Sequence, residues 1–473
     1  MLQAVKKRYV GDKAFYRMVL AIAVPIMIQN GISNFVSMLD NIMVGNVDAV
    51  QMTGVSIVNQ LIFVFNLMIF GAVSGAGIFS AQFHGSGDVK GVRDTFRFKI
   101  LSGLALAGLG ILLFLLFGET LICQYLKGEG KADQINACLG YAKEYLGIML
   151  IGFVPFCISQ CYASTLRETG ETILPMVSGI VAVLVNLGLN AVLIFGYLGF
   201  PALGAAGAAI ATVISRFVEA GIVIIVTHMK KAKYSFIKGA YKSLKVPGIL
   251  VKGILQKGAP LLLNETLWAA GMAMLTQCYS VRGFDVVSAV NISSTISNVF
   301  NVSFIAMGNA IGIIIGQMLG AGKKEEAVDA DRKLIAFSVV SCLVFALALF
   351  LVSPVFPLIY QDVTADSHRM ASSFMRICAL CMPIGAYANA AYFTLRSGGK
   401  TFITILFDSC YVWGLVVPIA YILSRYTSLR IEELFFCCQF IEIGKCFIGF
   451  FMIKSGMWIQ NIVKDDRSAV EPK

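Results

Sequence analysis

Charged residues are scarce in this sequence of 473 residues. Asp, Glu, Lys and Arg make up 14% of it and hydrophobic residues 58%, whereas a soluble domain rarely exceeds half apolar residues. No charge occurs between residues 18 and 39, 52 and 83, or 172 and 215. About 20 apolar helical residues cross the hydrocarbon core of a bilayer, so the sequence predicts an all-α polytopic membrane protein. The runs are too continuous for the alternating strands of a transmembrane barrel.

Catalytic and nucleotide-binding motifs are also missing. The segment SGGKT at 397–401 lacks the first glycine of a phosphate-binding loop, because Thr394 stands in its place. No HExxH motif, aspartate pair or Ser–His arrangement lies in the apolar segments, so neither an enzyme nor a cofactor is expected. The twelve cysteines fall mostly in those segments and are interpreted as packing residues. Active transport would therefore have to draw on an ion gradient or on the gradient of the substrate.

The chain is predicted to contain twelve transmembrane helices in two halves. The spans lie near 18–45, 52–82, 97–117, 136–162, 172–197, 204–228, 253–280, 286–318, 333–353, 370–394, 401–424 and 433–453. A shift by 235 residues aligns Pro25 with Pro260 and Gly85 with Gly320, which indicates an internal duplication. Since each half has an even number of spans, we expect two six-helix lobes related by a pseudo-two-fold axis along the membrane normal. The expected N-lobe covers 1–228, a basic cytoplasmic linker 229–252, and the C-lobe 253–473.

The net charge of +11 comes from Lys and Arg residues that cluster between the predicted spans. Lys230, Lys231 and Lys233 open such a cluster, whereas the expected outer loops 46–51 and 198–203 contain no positive charge. This asymmetry follows the positive-inside rule and predicts a multi-pass protein of the plasma (inner) membrane with both termini cytoplasmic. The expected partner of the basic residues is the lipid bilayer and not nucleic acid. The first apolar run has no cleavage site, so a retained helix is expected in place of a signal peptide.

Polar residues form stripes on three of the predicted helices. A turn of 100° per residue places four polar side chains on one face of the first helix, namely Gln29, Ser33, Ser37 and Asp40. The second and eighth helices carry the amides of Asn59, Asn66, Asn291, Asn298 and Asn301. Hydrogen bonds between helices would explain such residues. Stripes longer than two turns favour the other interpretation, a hydrated substrate cavity.

Acidic residues inside the predicted spans differ in whether a cation stands nearby in the sequence. Glu219 follows Arg216 by three residues and Glu442 precedes Lys445 by three, so each pair is expected to form an ion pair on one helix face. The acids without such a neighbour are Asp40, Glu265 and Asp408. An unpaired acid in a low dielectric can exchange a proton or a cation for its charge. An interfacial position for Asp40 and a boundary position for Asp408 are the alternatives.

Several motifs resemble those of the MATE family of multidrug and toxic compound extrusion transporters. They are DNIMVG at 40–45, QFHGSGD at 82–88, QMLGAGK at 317–323, LRETGET at 166–172 with LRSGGKT at 395–401, and NLGLNAVLIFGYLGFPALGAAGAAIAT at 186–212. The resemblance extends from about residue 17 to residue 455. It implies a secondary active antiporter whose two lobes alternate in access. Its expected substrates are small amphipathic organic cations, exported in exchange for protons or sodium ions.

The resemblance also implies roles for particular residues. An N-lobe site for a proton or a sodium ion is expected at Asp40, Asn186, Asn190 and Thr212. Glu265 matches the coupling glutamate of the seventh helix in the C-lobe. Relatives often pair this glutamate with an aspartate on the tenth helix, which PIGAYANAAY at 383–392 lacks. Asp408 on the following helix is considered as its substitute.

A lipid-linked saccharide flippase of the same superfamily is the alternative function. Such flippases resemble this fold but tend toward cationic cavities, whereas the unpaired buried charges expected here are acidic. The antiporter is therefore the preferred interpretation.

Overall fold

The protein is helical throughout the part that the structure describes. The computed structural model describes residues 8–45, 48–126, 132–360 and 364–464, with the side chains of 36–42, 45, 49, 132 and 284 outside that description. No β-strand occurs in these ranges. The earlier helices are α1 (Lys13–Gly45), α2 (Ala49–Gly85), α3 (Val89–Leu126), α4 (Ala132–Ile151), α5 (Phe153–Glu168), α6 (Ile173–Phe195) and α7 (Gly204–Met229).

The later helices are more often interrupted. They are α8 (Gly248–Ser280), α9 (Phe284–Gly320), α10 (Lys324–Val352), α11 (Ala365–Ser397), α12 (Thr401–Phe407), α13 (Val417–Tyr426), α14 (Ile431–Phe440) and α15 (Ile443–Lys454). A helical turn at Ser409–Tyr411 and a π-helix at Val412–Val416 connect α12 to α13. Short 3-10 turns lie at Tyr197–Gly199, Ser235–Ile237, Ala240–Lys242 and Phe356–Ile359.

The helices confirm a polytopic membrane protein. In the described ranges, 10 helices are long and apolar enough to cross a membrane, or up to 11 if the pair α4 and α5, bent by 46°, forms one span. The predicted span that is missing from this count, 253–280, corresponds to α8, which has 33 residues. This helix is not among those 11 because Asn264 and Glu265 interrupt its apolar middle. Along α3, large side chains such as Leu115 and Phe117 are 68% and 56% exposed, as expected of a surface that faces lipid.

Helix boundaries repeat with the spacing of the sequence duplication. Helices α1 and α8 have 33 residues each, and their first residues, Lys13 and Gly248, lie 235 positions apart. Helices α2 and α9 have 37 residues each and begin at Ala49 and Phe284, again 235 positions apart. The duplicated sequence therefore folds into the same succession of helices at the start of each half.

The contacts divide the chain into two compact units. Residues 28–80 and 88–252 form one, called here the 28–252 unit. Residues 1–27, 81–87 and 253–473 form the other, called the 253–473 unit. Helix α1 thus contributes residues to both, a division that differs from the expected boundary at 228.

The segment after α7, expected to be a linker, is folded against α3 inside the 28–252 unit. Arg97 on α3 donates hydrogen bonds to the carbonyl oxygens of Ala240 (2.7 Å) and Gly239 (2.8 Å). The ring of Phe96 lies 5.3 Å from that of Phe236, and the lysines of this segment remain exposed. The segment after α7 therefore packs against α3 while its lysine side chains face outward.

Candidate functional site

A polar network in the 253–473 unit begins at Glu265, in the middle of α8. The hydroxyl of Tyr392 on α11 donates a hydrogen bond to Oε1 of Glu265 at 3.1 Å. Nδ2 of Asn264 donates to the hydroxyl oxygen of Tyr392 at 3.5 Å. The guanidinium of Arg396, near the end of α11, also acts electrostatically on Glu265. A neutral hydroxyl and a nearby positive charge therefore hold this carboxylate in an apolar region.

Asn264 connects Glu265 to a second acid. Its side chain is buried, and its Nδ2 also donates to Oδ2 of Asp408 at 3.2 Å. The hydroxyl of Ser409 donates to Oδ1 of Asn264 at 2.7 Å and to its backbone oxygen at 2.9 Å. The hydroxyl of Ser409 thereby fixes the orientation of the amide, because its oxygen accepts while its NH₂ group serves Tyr392 and Asp408.

Asp408 is paired with a lysine that is distant in sequence. Nζ of Lys445, on α15, lies 2.8 Å from Oδ1 of Asp408 and 3.0 Å from Oε2 of Glu442. The predicted pair of Glu442 and Lys445 is confirmed. The expectation that Asp408 stands unpaired was wrong, because it considered only cations close in sequence. We call the connected residues the Glu265 network; they are Glu265, Tyr392, Asn264, Ser409, Asp408, Lys445 and Glu442.

Two helix interruptions position the acids of this network. Helix α12 ends at Phe407, directly before Asp408, and the π-helix begins four residues after Asp408 at Val412. Glu442 lies between α14 and α15. The hydroxyl of Tyr411 donates to the carbonyl oxygen of Ile441 at 2.6 Å and joins the two interruptions. Such π-helical turns inside helices are frequent at functional sites.

A smaller cluster of polar residues lies in the 28–252 unit. Nδ2 of Asn186 on α6 donates to Oγ1 of Thr212 on α7 at 3.2 Å, and Nδ2 of Asn190 donates to Oδ1 of Asn186 at 3.3 Å. The structure therefore brings together three of the four residues expected at the N-lobe site. The fourth, Asp40, lies within α1, but its side chain is outside the described residues, as is that of Ser37. Amide and hydroxyl oxygens are suitable ligands for a hard cation.

Buried charge in the 28–252 unit differs from the expectation. Nη2 of Arg167 donates to Oε1 of Gln29 at 3.1 Å. The positive charges of Arg167 and Arg216 both act on Glu219, and the electrostatic effect of Arg167 is the larger. In the described residues no ion-pair contact within 4.0 Å joins Glu219 to either guanidinium, so the expected close pair with Arg216 is not formed. The guanidinium of Arg216 instead lies over the Phe156 ring, 4.8 Å from its centroid.

The remaining stripe residues differ in exposure. Gln29 is buried, Asn59 accepts a hydrogen bond from the Tyr145 hydroxyl at 3.3 Å, and Ser33 is exposed. Asn66 and Asn301 are half-buried, and Asn291 and Asn298 are exposed. Interhelical hydrogen bonding thus explains Gln29 and Asn59, whereas the exposed amides are available to water or substrate.

The sequence and fold agree with one transporter family. The family model MatE matches residues 25–192 and 260–422. The chain belongs to the MatE family. Members of this family are transporters and not enzymes. The two matched ranges divide the chain as its internal duplication does.

Individual relatives are similar along most of their length. The chain is 25% identical over 416 residues to the "Probable multidrug resistance protein NorM" of Thermotoga maritima, covering 87% of this chain and 86% of that protein. It is 25% identical over 425 residues to the "Probable multidrug resistance protein YoeA" of Bacillus subtilis, covering 86% and 87%. A crystal structure of the Vibrio cholerae MATE transporter VcmN has the same fold, with a TM-score of 0.84 at 17% identity, covering 95% of this chain and 98% of that one.

Sequence reasoning missed most partners of Glu265. Asn264 precedes Glu265 directly in the sequence. Tyr392 is the last residue of the segment PIGAYANAAY, which the sequence analysis considered only because it lacks an aspartate. Lys445 was assigned to Glu442 alone. A signal was present, because a lysine inside a long apolar run requires a buried partner.

Proposed function

We propose that this protein exports small amphipathic organic cations across the plasma membrane by antiport with protons or sodium ions. The names of the NorM and YoeA relatives point to multidrug substrates. The two compact units would alternate in access to the two sides of the membrane. Both termini would be cytoplasmic.

The Glu265 network is the observation that carries this proposal. Glu265 lies in the middle of a 33-residue helix, where an acid is costly unless it has a role. Its hydrogen-bonding partner Tyr392 is neutral, so the carboxylate can gain or lose a proton without breaking an ion pair of its own. A carboxylate that alternates between two charge states is what ion-coupled export requires.

The cluster of Asn186, Asn190 and Thr212 is proposed as a second coupling site. Together with Asp40 it would offer one carboxylate and several neutral oxygens to a proton or a sodium ion. The network of the 253–473 unit contains more charge, so the two units need not use the same ion. Exposed amides such as Asn291 and Asn298 would line the path of the substrate.

One observation favours a flippase as the second candidate. Arg167 acts on both Glu219 and Glu168, Arg216 acts on Glu219, and Lys99 pairs with Glu168. These five buried groups therefore carry one more positive charge than negative. A cationic interior would suit the phosphate of a lipid-linked saccharide. The acids of the other unit favour a cationic substrate, and we therefore rank export of cations first.

Accumulation of ethidium in cells tests whether the protein exports organic cations or acts as a flippase. Cells that express the protein should accumulate less dye than cells with an empty vector, and collapsing the ion gradients should remove the difference. A matched control is Lys333→Gln, which affects only a helical pair between this half-buried lysine and exposed Asp329 and should export like the wild type. Unchanged accumulation across a broad panel of organic cations would move the flippase ahead, to be tested with a fluorescent lipid-linked saccharide.

A further inference from the structure

Among the described residues of the 253–473 unit, Lys445 is the most deeply buried Lys or Arg. Its Nζ contacts members of the Glu265 network and the ring of the neighbouring Tyr411. Its side chain is 4% exposed, and its Nζ contacts carboxylate oxygens on both sides, Asp408 at 2.8 Å and Glu442 at 3.0 Å. The same Nζ lies 5.7 Å from the centroid of the Tyr411 ring. An ammonium with two carboxylates and an aromatic face occupies a complete cation site.

The interrupted helices make this site rigid. Asp408 and Glu442 belong to different spans, and each stands where its helix is broken. The Tyr411 hydroxyl fixes one break to the other through Ile441. Gly444 allows this contact, because a Cβ atom at that position would lie 2.1 Å from the Tyr411 hydroxyl. The two carboxylates are therefore held at the distance that one bridging cation needs.

Glu265 differs from the other two acids of the network because Lys445 forms its ion pairs with Asp408 and Glu442 and not with Glu265. The network contains three acids, Glu265, Asp408 and Glu442, while Lys445 and the nearby Arg396 supply two positive charges. Lys445 neutralises one charge of the Asp408 and Glu442 pair, and Asn264 donates to the other oxygen of Asp408. The groups that face Glu265 are Tyr392 and Arg396 on α11 and Asp408 after α12.

We propose that Lys445 is a resident cation that determines which ion this unit accepts: by filling the site between Asp408 and Glu442 it excludes sodium there, and it leaves Glu265 as the single acid that takes up a proton. Sodium requires several oxygen ligands with net negative charge, whereas a single carboxylate beside a guanidinium can accept a proton alone. The inference rests on the proposed antiport and identifies the ion for this unit. Lys445 acts through Asp408 and Glu442 and is a positioning residue.

Thermal unfolding of the full-length protein in detergent tests the inference without any substrate. Potassium is exchanged for sodium at constant ionic strength, in an Asp40→Asn background that silences the other candidate sodium site. We expect no sodium-specific stabilisation in this background. When Lys445→Gln is added to this background, Asp408 and Glu442 lose their bound ammonium and become available to sodium. The melting midpoint of this double variant should then be a few degrees higher in sodium than in potassium, since a ligand stabilises the state that binds it.

Matched variants separate a cation site from a structural cross-link. Lys445→Arg keeps the charge and should show no sodium response, and Lys445→Gln with Asp408→Asn should lose the response gained by Lys445→Gln. A folded Lys445→Gln protein that melts identically in both salts would overturn the inference. The inference would also be overturned if sodium stabilised the Asp40→Asn protein and the further change Glu265→Gln abolished that stabilisation. This outcome does not depend on whether the Lys445 variant folds. Failure of dye export would leave these melting results unaffected, so it would count against the proposed function alone.

Discussion

Single side chains determine where charge can change inside this membrane protein. Glu265 is held by the hydroxyl of Tyr392, whereas Asp408 is held by the ammonium of Lys445. Two acids in one network therefore have different roles, because a neutral hydroxyl is hydrogen-bonded to Glu265, with Arg396 acting only through its charge, whereas an ammonium contacts Asp408 directly. Removing Lys445 would leave an uncompensated buried charge, which typically costs about 3–5 kcal/mol.

Asp40→Asn is expected to fold and reach the membrane but to lose active export. Asparagine keeps the shape of the side chain, yet it cannot take up or release a proton and binds a cation less well. Asp40→Glu should retain partial activity if cation binding is the role of this residue. Export assays in cells with Asp40→Asn and Glu265→Gln side by side assign the coupling. Normal export by Asp40→Asn together with failure of Glu265→Gln would place coupling in the 253–473 unit alone.

At the scale of elements, the ends of α2 and α9 approach closely and reciprocally. A Cβ atom on Gly85 would lie 1.9 Å from the carbonyl oxygen of Gln317, and one on Gly320 would lie 1.9 Å from that of Gln82. Gln82 itself is fully buried, and its Nε2 donates to the carbonyl oxygen of Ser397 at 3.1 Å. The duplicated turns QFHGSGD and QMLGAGK therefore serve close packing of backbone on backbone.

Gly85→Ala and Gly320→Ala should each lower the free energy of unfolding by about 1–3 kcal/mol, because the added Cβ atom would clash with backbone atoms that cannot rotate away. Thermal unfolding in detergent would show a lowered midpoint for both. Gly108→Ala on α3 is the control, since nothing lies within 4 Å of the added Cβ atom. Equal midpoints for Gly85→Ala and Gly108→Ala would contradict the close approach.

The segment after α7 is held to the turn before α6 by a pH-dependent contact. Lys233 and Tyr234 donate hydrogen bonds to Oε2 of Glu171. Burial opposes the ionisation of Glu171, but the hydrogen bond and the charge of Lys233 outweigh it and hold the pKa of Glu171 below its ordinary value. An acid with a lowered pKa stabilises the fold above its unfolded pKa, about 4.3, and this contribution is lost as the pH falls through the folded value.

Hydrogen exchange of the amides in 233–238 should therefore be slower in the wild type than in Glu171→Gln at pH 7. The two proteins should become alike as the pH falls through the lowered pKa of Glu171, after correction for intrinsic exchange rates. Because Lys233 is mostly exposed, the difference should remain under about 1 kcal/mol. Glu326→Gln, which affects an exposed pair with Lys323, serves as the control. Equal protection at pH 7 would show that the contact does not form.

For the whole molecule, the distribution of Lys and Arg predicts the orientation in the membrane. A cysteine introduced at exposed Lys238 should resist an impermeant thiol reagent added outside intact cells and should react after the cells are opened. Because twelve native cysteines are present, a variant without them is the background for the measurement. Efficient labelling from outside would reverse the proposed topology.

The fold was largely predictable from the sequence, and the site only in part. Long uncharged runs and the 235-residue repeat fix the helices, because a segment without charge must cross the membrane and a repeated segment folds alike. Glu265 and Asp408 could be found as acids in apolar runs. The pairing of Asp408 with Lys445 could not, because it joins residues 37 positions apart through the tertiary packing of two broken helices. The packing of segment 230–242 was hidden for the same reason.

Reconstitution in liposomes tests the central claim, that an ion gradient acting on Asp40 and Glu265 drives export. Vesicles that contain the purified protein receive ethidium at equal concentration on both sides, and a proton gradient or a sodium gradient is then imposed. The account predicts that dye accumulates on the side from which the ion flows down its gradient, and that combining Asp40→Asn with Glu265→Gln abolishes this accumulation. Dye that stays at equal concentration in the wild type under either gradient would contradict it.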